Sequence, residues 1–106
     1  MYDNAHRRRM MEISAVGIPW YRQQDFDRLK AMFSDGSKIG ATFGGWLDSA
    51  EKVYQRLTAE GHVVVKAYID PEVFPEWCAA HGKELNAAGR GAYAHECAAE
   101  KVRATL

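Results

Sequence analysis

The chain has 106 residues, and its 14 lysines and arginines balance 14 aspartates and glutamates, so the formal net charge is zero. That length holds one domain and excludes two, and a composition 47% hydrophobic and 26% charged excludes a wholly disordered chain. Neutrality excludes a global field that would draw in nucleic acid or an anionic membrane surface.

In chain order, a basic segment comes first. Arg7, Arg8 and Arg9 stand against Asp3 alone, which leaves the rest of the chain net acidic by two. No apolar run follows that would make this a secretory signal. Residues 1–10 read as a disordered basic arm, with Met10 and Met11 as alternative starts, and 11–106 as a single domain. Glu12–Ile18 reads as a short strand stopped by Pro19, and Gly17 inside it marks a bulge or a close backbone approach. Pro19-Trp20-Tyr21-Arg22 is a turn-like connector. A helix follows from Gln24 or Asp25 to Phe33, with Phe26, Leu29, Met32 and Phe33 on one face, and Ser34–Ser37 breaks it.

The second helix has the clearest pattern. Thr42 is its cap, and Phe43, Trp46, Leu47, Ala50, Val53, Tyr54 and Leu57 form one stripe that ends at Gly61. His62–Asp70 is the clearest strand. Val63, Val65, Ala67 and Ile69 share an apolar face, while His62, Val64, Lys66 and Tyr68 share a mixed one. Asp70-Pro71 opens a third helix with Asp70 as cap. Pro75 places a turn at 71–74 and the regular helix from about Pro75 to Gly82. Asn86 caps a last helix over Ala87–Ala104, softened at its start by Gly89 and Gly91.

The order β-α-α-β-α-α predicts an α+β fold, mostly helical, in which four helices cover a two-stranded sheet. The expected core is Phe26, Phe43, Trp46, Phe74 and Trp77 with the valines at 63–65. A two-stranded sheet is marginal alone, and joining two across a dimer axis would pair a bare edge, so a homodimer is expected.

Several segments together resemble a family of small uncharacterised bacterial proteins. They are Gly17–Arg22 with Asp25; Thr42, Trp46-Leu47 and Ala50-Glu51; Gly61–Val65; Ile69-Asp70-Pro71; and Phe74 with Trp77–Ala80. The resemblance spans about residues 16–104 and implies a bacterial single-domain protein of the cytoplasm. It carries no activity and no functional residue. Gly44-Gly45 and Pro75 depart from its helix-friendly residues at those positions.

Little in the sequence points to chemistry. Cys78 and Cys97 are too few for a disulfide framework and form no Cys-x-x-Cys pair, which fits free thiols in a reducing compartment. Cys78 and His81, at i,i+3 on a helix, are the pair that could share a metal. His95 and Cys97, at i,i+2, point about 200° apart, so the plainer reading is a buried cysteine on each helix, with no metal site and no cofactor. A cysteine nucleophile would need an activating base, and Cys78 lies mid-stripe where burial leaves thiols inert. Gly40-x-x-x-Gly44-Gly45 lacks the Lys-Ser/Thr of a phosphate loop.

The leading expectation is therefore a non-enzymatic interaction or accessory module. Its candidate binding residues are Trp20, Tyr21 and Arg22 on the connector, with His62 and Tyr68 on the mixed strand face. The plainer alternative for the connector has Trp20 anchoring it to the core, with Tyr21 and Arg22 half exposed. Two other functions are retained: a small-molecule binder or enzyme with a cleft near Tyr21, Arg22, His62 and Tyr68, and a nucleic-acid-associated regulator using the basic arm. The acidic domain does not favour the last, and no run of about 18 apolar residues exists to cross a membrane.

Overall fold

The structure is a computed structural model that describes residues 15–105. Its elements are β1 (Ala15–Trp20), α1 (Gln23–Met32), a 3-10 turn (Gly36–Lys38), α2 (Phe43–Ala59), β2 (Val63–Tyr68), α3 (Val73–His81) and α4 (Ala87–Thr105). The expected order and fold class are what the chain adopts. The basic arm expected over residues 1–10, and the first residues expected of strand one, lie outside the described residues.

The local signals work as elementary chemistry requires. Thr42 Oγ1 accepts a hydrogen bond from the Gly45 amide at 3.1 Å, and Asn86 Oδ1 accepts one from Gly89 at 3.0 Å. Asp70 Oδ1 accepts from the amides of Glu72 and Val73, at 2.7 and 3.2 Å. Gly61 and Gly82 turn left-handed just past α2 and α3, at φ of +93° and +64°. Helix α3 begins earlier than expected, at Val73. The Phe74 amide already donates to the Asp70 carbonyl at 2.9 Å, so the ladder begins there, and Pro75, lacking an N–H, omits the next bond, to the Pro71 carbonyl.

Strands β1 and β2 run parallel, in register from Ala15 opposite Val63 to Trp20 opposite Tyr68. Pro19 does not stop the strand but lies within it. The Ile69 amide donates to the Trp20 carbonyl at 2.9 Å, so Val16, Ile18 and Trp20 are the residues that bond to β2. Pro19 therefore turns its nitrogen to the free edge, where no donor is needed.

One helix covers each face of the sheet, as a parallel sheet demands. Helix α4 lies on the face of Gly17. A Cβ on Gly17 would run into the Ala94 carbonyl oxygen, so the strand glycine marks the close backbone approach. Ala94 and Ala98 are fully buried against the sheet. Helix α2 lies on the opposite face, where Trp20 meets Trp46 edge-on at 5.2 Å and Tyr54 at 6.2 Å.

The core is not where the valines predicted it. Tyr21, Phe26, Leu29, Phe33, Ile69, Phe74 and Cys78 form it, with Phe43, Trp46 and Trp77 only partly buried against it. It lies beyond the carboxyl ends of both strands, where α1 and α3 converge. Val63, at the opposite end of β2, is 56% exposed, and Val64 and Val65 are half-buried. With only two strands, β2 has a neighbour on one side alone, and at its start the last turns of α4 leave Val63 largely uncovered.

Candidate functional site

The connector residues divide. Trp20 and Tyr21 are each 4% exposed. Trp20 anchors the connector on the α2 side. Tyr21, expected half exposed, instead turns into the core, with its ring 4.5 Å from Trp46 and 5.8 Å from Phe33. A phenol ring that follows a strand end directly and meets α1 and α2 has no route to solvent except along its edge. Arg22 is exposed and lays its guanidinium 4.5 Å above the ring of Tyr68. His62 sits at the other end of β2, about 20 Å from Tyr68 at strand rise, with Nε2 3.8 Å from Glu60. The four residues expected around one cleft therefore do not converge. Arg22 and Tyr68 meet, Tyr21 is buried against Trp46 and Phe33, and His62 stands apart.

The feature that organises this surface is the free edge of β2. Since Val65, Ala67 and Ile69 bond to β1, Val64, Lys66 and Tyr68 direct their N–H and C=O groups outward. No described residue hydrogen-bonds to them. A groove of about 490 Å³ follows this edge, lined by Tyr54 of α2, Val63–Lys66 and Tyr68 of β2, and Lys101, Val102 and Thr105 of α4. Lys66 holds its ammonium over two aromatic faces, Trp20 at 4.4 Å and Tyr54 at 4.6 Å, with Glu51 at 3.8 Å. Its apolar stem thus covers the α2 side of the sheet, and the charge is kept at the groove.

A second groove, about 400 Å³, follows the free edge of β1 between α2 and the start of α4, with Tyr21 and Arg90 among its lining residues. Arg90 is buried, and its guanidinium donates to both carboxylate oxygens of Asp35, at 2.7 and 3.1 Å, while packing 4.5 Å over Phe33. Asp35 Oδ2 also accepts from the Ala87 amide at 3.1 Å, capping α4. The Arg90 hydrogen bonds hold the Asp35 carboxyl below its ordinary range. Burial pushes the Tyr21 phenol up. This cluster is a strut between the α1 end and α4: its charges and its helix terminus already satisfy each other.

The thiol candidates are quiescent. Cys78 is buried, its thiol 3.8 Å from the Glu84 carbonyl, and burial raises its pKa. Cys97 is half-buried and raised for the same reason. His81 stacks on Trp77 at 4.1 Å, and its Nδ1 is 2.8 Å from the Trp77 carbonyl oxygen. Among the described residues, no three His, Cys, Asp or Glu side chains gather as metal ligands.

Sequence reasoning places Lys66 on a mixed strand face that could front a cleft, but misses Lys101 and Tyr54 beside it. The one available signal was the mixed strand face itself, on which a lysine alternates with valine and tyrosine. Arg90, flanked by Gly89 and Gly91, gave no signal that it pairs with a residue 55 positions earlier.

No helix of the described residues is long and apolar enough to cross a membrane. No protein-family model, no curated protein and no solved structure matches the chain.

Proposed function

We propose that this protein is a non-catalytic interaction module that takes an extended segment of a partner protein along the free edge of β2. One observation supports the reading above the others: three successive outward-facing residues, Val64, Lys66 and Tyr68, offer both backbone groups at the mouth of a groove walled by two helices. An added strand would satisfy these groups and cover exposed Val63 and Tyr68. The other edge is blunted by Pro19, which has no amide to offer. The setting we propose is a bacterial cytoplasm, on the resemblance noted above and the two unpaired thiols. The same edge could also join two copies of the chain, in the order β1-β2-β2-β1.

The test is a displayed library of random heptapeptides, panned on the native protein and counter-selected on Val64→Pro. That substitution removes one outward amide without touching a bond to β1. The expected result is peptides that bind the parent, lose binding to the variant and slow amide exchange at Val64, Lys66 and Tyr68. Recovery of only those peptides that bind both proteins alike would refute the proposal.

A further inference from the structure

We infer that the partner segment is acidic, with two carboxylates three residues apart in an extended chain; this rests on the strand-addition reading above. The β2 groove is lined by Lys66 and Lys101, with no carboxylate among its lining residues. Arg22 stands at its Tyr68 end. Glu51 reaches Lys66 at 3.8 Å, whereas Lys101 and Arg22 have no ion-pair partner among the described residues.

The two lysines lie on opposite sides of the sheet. Lys66 is on the α2 side, over Trp20 and Tyr54. Helix α4 runs back along the other face. Its start lies near Pro19, its Ala94 crosses Gly17, and its Lys101 and Val102 reach the Ala15 and Val63 end. Val63 and Lys66 are three residues apart and point to opposite faces. A strand laid beside β2 keeps that alternation. One carboxylate at i then meets Lys101 and another at i+3 meets Lys66, roughly 10 Å apart along the strand. Carboxylates at i and i+2 fall on one face and leave one lysine unmet. The same charges disfavour a second copy as the occupant. Pairing two β2 edges would bring Lys66 and Lys101 of both copies to one seam, like charges facing each other across the added ladder.

The experiment uses the full chain and three fluorescein-labelled heptapeptides: TEVTEVT, the isomer TEVETVT with both acids on one face, and TKVTKVT. Fluorescence anisotropy gives affinity, and amide exchange at Val64, Lys66 and Tyr68 gives location. TEVTEVT is expected to slow exchange at all three amides. It should bind about threefold more tightly than TEVETVT and at least about tenfold more tightly than TKVTKVT, the scale of one or two exposed ion pairs. Lys66→Gln and Lys101→Gln should each cost it about threefold, and high salt should erase the differences. Equal affinities with the edge amides protected would overturn the charge inference and leave strand addition standing. Protection by none of the three would overturn strand addition, and the inference with it. Edge amides already protected in the free protein, at concentrations where light scattering gives a dimer, would assign the edge to a second copy and overturn the inference.

Discussion

Removing the Asp35 carboxylate puts the strut between the end of α1 and α4 to a direct test. The Arg90 side chain is 8% exposed and that of Asp35 18%, so in Asp35→Ala the guanidinium keeps its charge in a site that water barely enters. An uncompensated buried charge of this kind costs about 3–5 kcal/mol. The α4 amide of Ala87 loses its acceptor as well, a capping loss of about 1 kcal/mol. A domain of this size has about 5–15 kcal/mol in all, so the variant should be close to unfolding. Arg90→Met leaves the more accessible carboxylate, still bonded to Ala87, and should cost less. The double variant should be more stable than the sum of the two predicts. Asp35 also gives the pH dependence its sign. Its folded pKa lies below its unfolded one, so its contribution is complete above about pH 4. It is lost as pH falls through the folded value, because the unfolded chain takes the proton first. Asp35→Asn should therefore flatten the acid limb of the stability curve. Urea titrations followed by circular dichroism, at pH 7 and below pH 4, measure all of this. A loss under about 1 kcal/mol for Asp35→Ala, or strict additivity in the double variant, would refute the account of the strut.

Further outcomes follow from packing and burial. Gly17→Ala drives a methyl against the Ala94 backbone, which cannot yield as a side chain would, so it should cost up to about 3 kcal/mol. Gly91→Ala meets nothing within 4 Å inside α4 and should stabilise by about 0.5–1 kcal/mol, and paired urea titrations separate the two. Val64→Pro should be tolerated at a cost of about 1 kcal/mol, whereas Val65→Pro deletes a bond to β1 and strands an acceptor, costing about 2–3 kcal/mol more; thermal unfolding distinguishes them. Both thiols should react slowly with a disulfide reagent at pH 7, Cys97 before Cys78, with rates still rising above pH 9, since burial raises both groups; a fast phase at pH 7 would contradict this.

What could be read in advance was whatever the chain encodes locally. Helix α2 announces itself because its stripe repeats between Thr42 and Gly61, and Asp70-Pro71 announces α3 because a carboxylate and a fixed φ act within four residues. Gly17 was readable as a close approach, though not to what. The rest depends on tertiary placement. Val63 has the same sequence character as Ala67, yet one is exposed and the other buried, because the helices α1 and α3 gather at one end of the strands. Tyr21 reads as a loop aromatic until Trp46 and Phe33 are seen around it. Lys66 looks like a solvated strand residue until Trp20 and Tyr54 place its charge beside an open edge. Arg90 and Asp35 meet across 55 residues, and no periodicity spans that distance.

The parallel pairing also sets an order of events in synthesis. Every ladder partner lies 48 residues further along the chain, from Ala15 with Val63 to Trp20 with Tyr68. At ribosomal speeds of about 5–20 residues per second, β1 waits roughly 2–10 s for β2 to be made. The helix that covers Gly17 follows later still. During that interval α1 and α2, whose bonds are local, are the elements that can form. The contacts that define the sheet pay the entropy of closing a long loop and come after them. Pro19, which blunts β1's outer edge in the folded state, also withholds a donor from that waiting strand during its exposure, when a neighbouring nascent chain would be its nearest alternative partner.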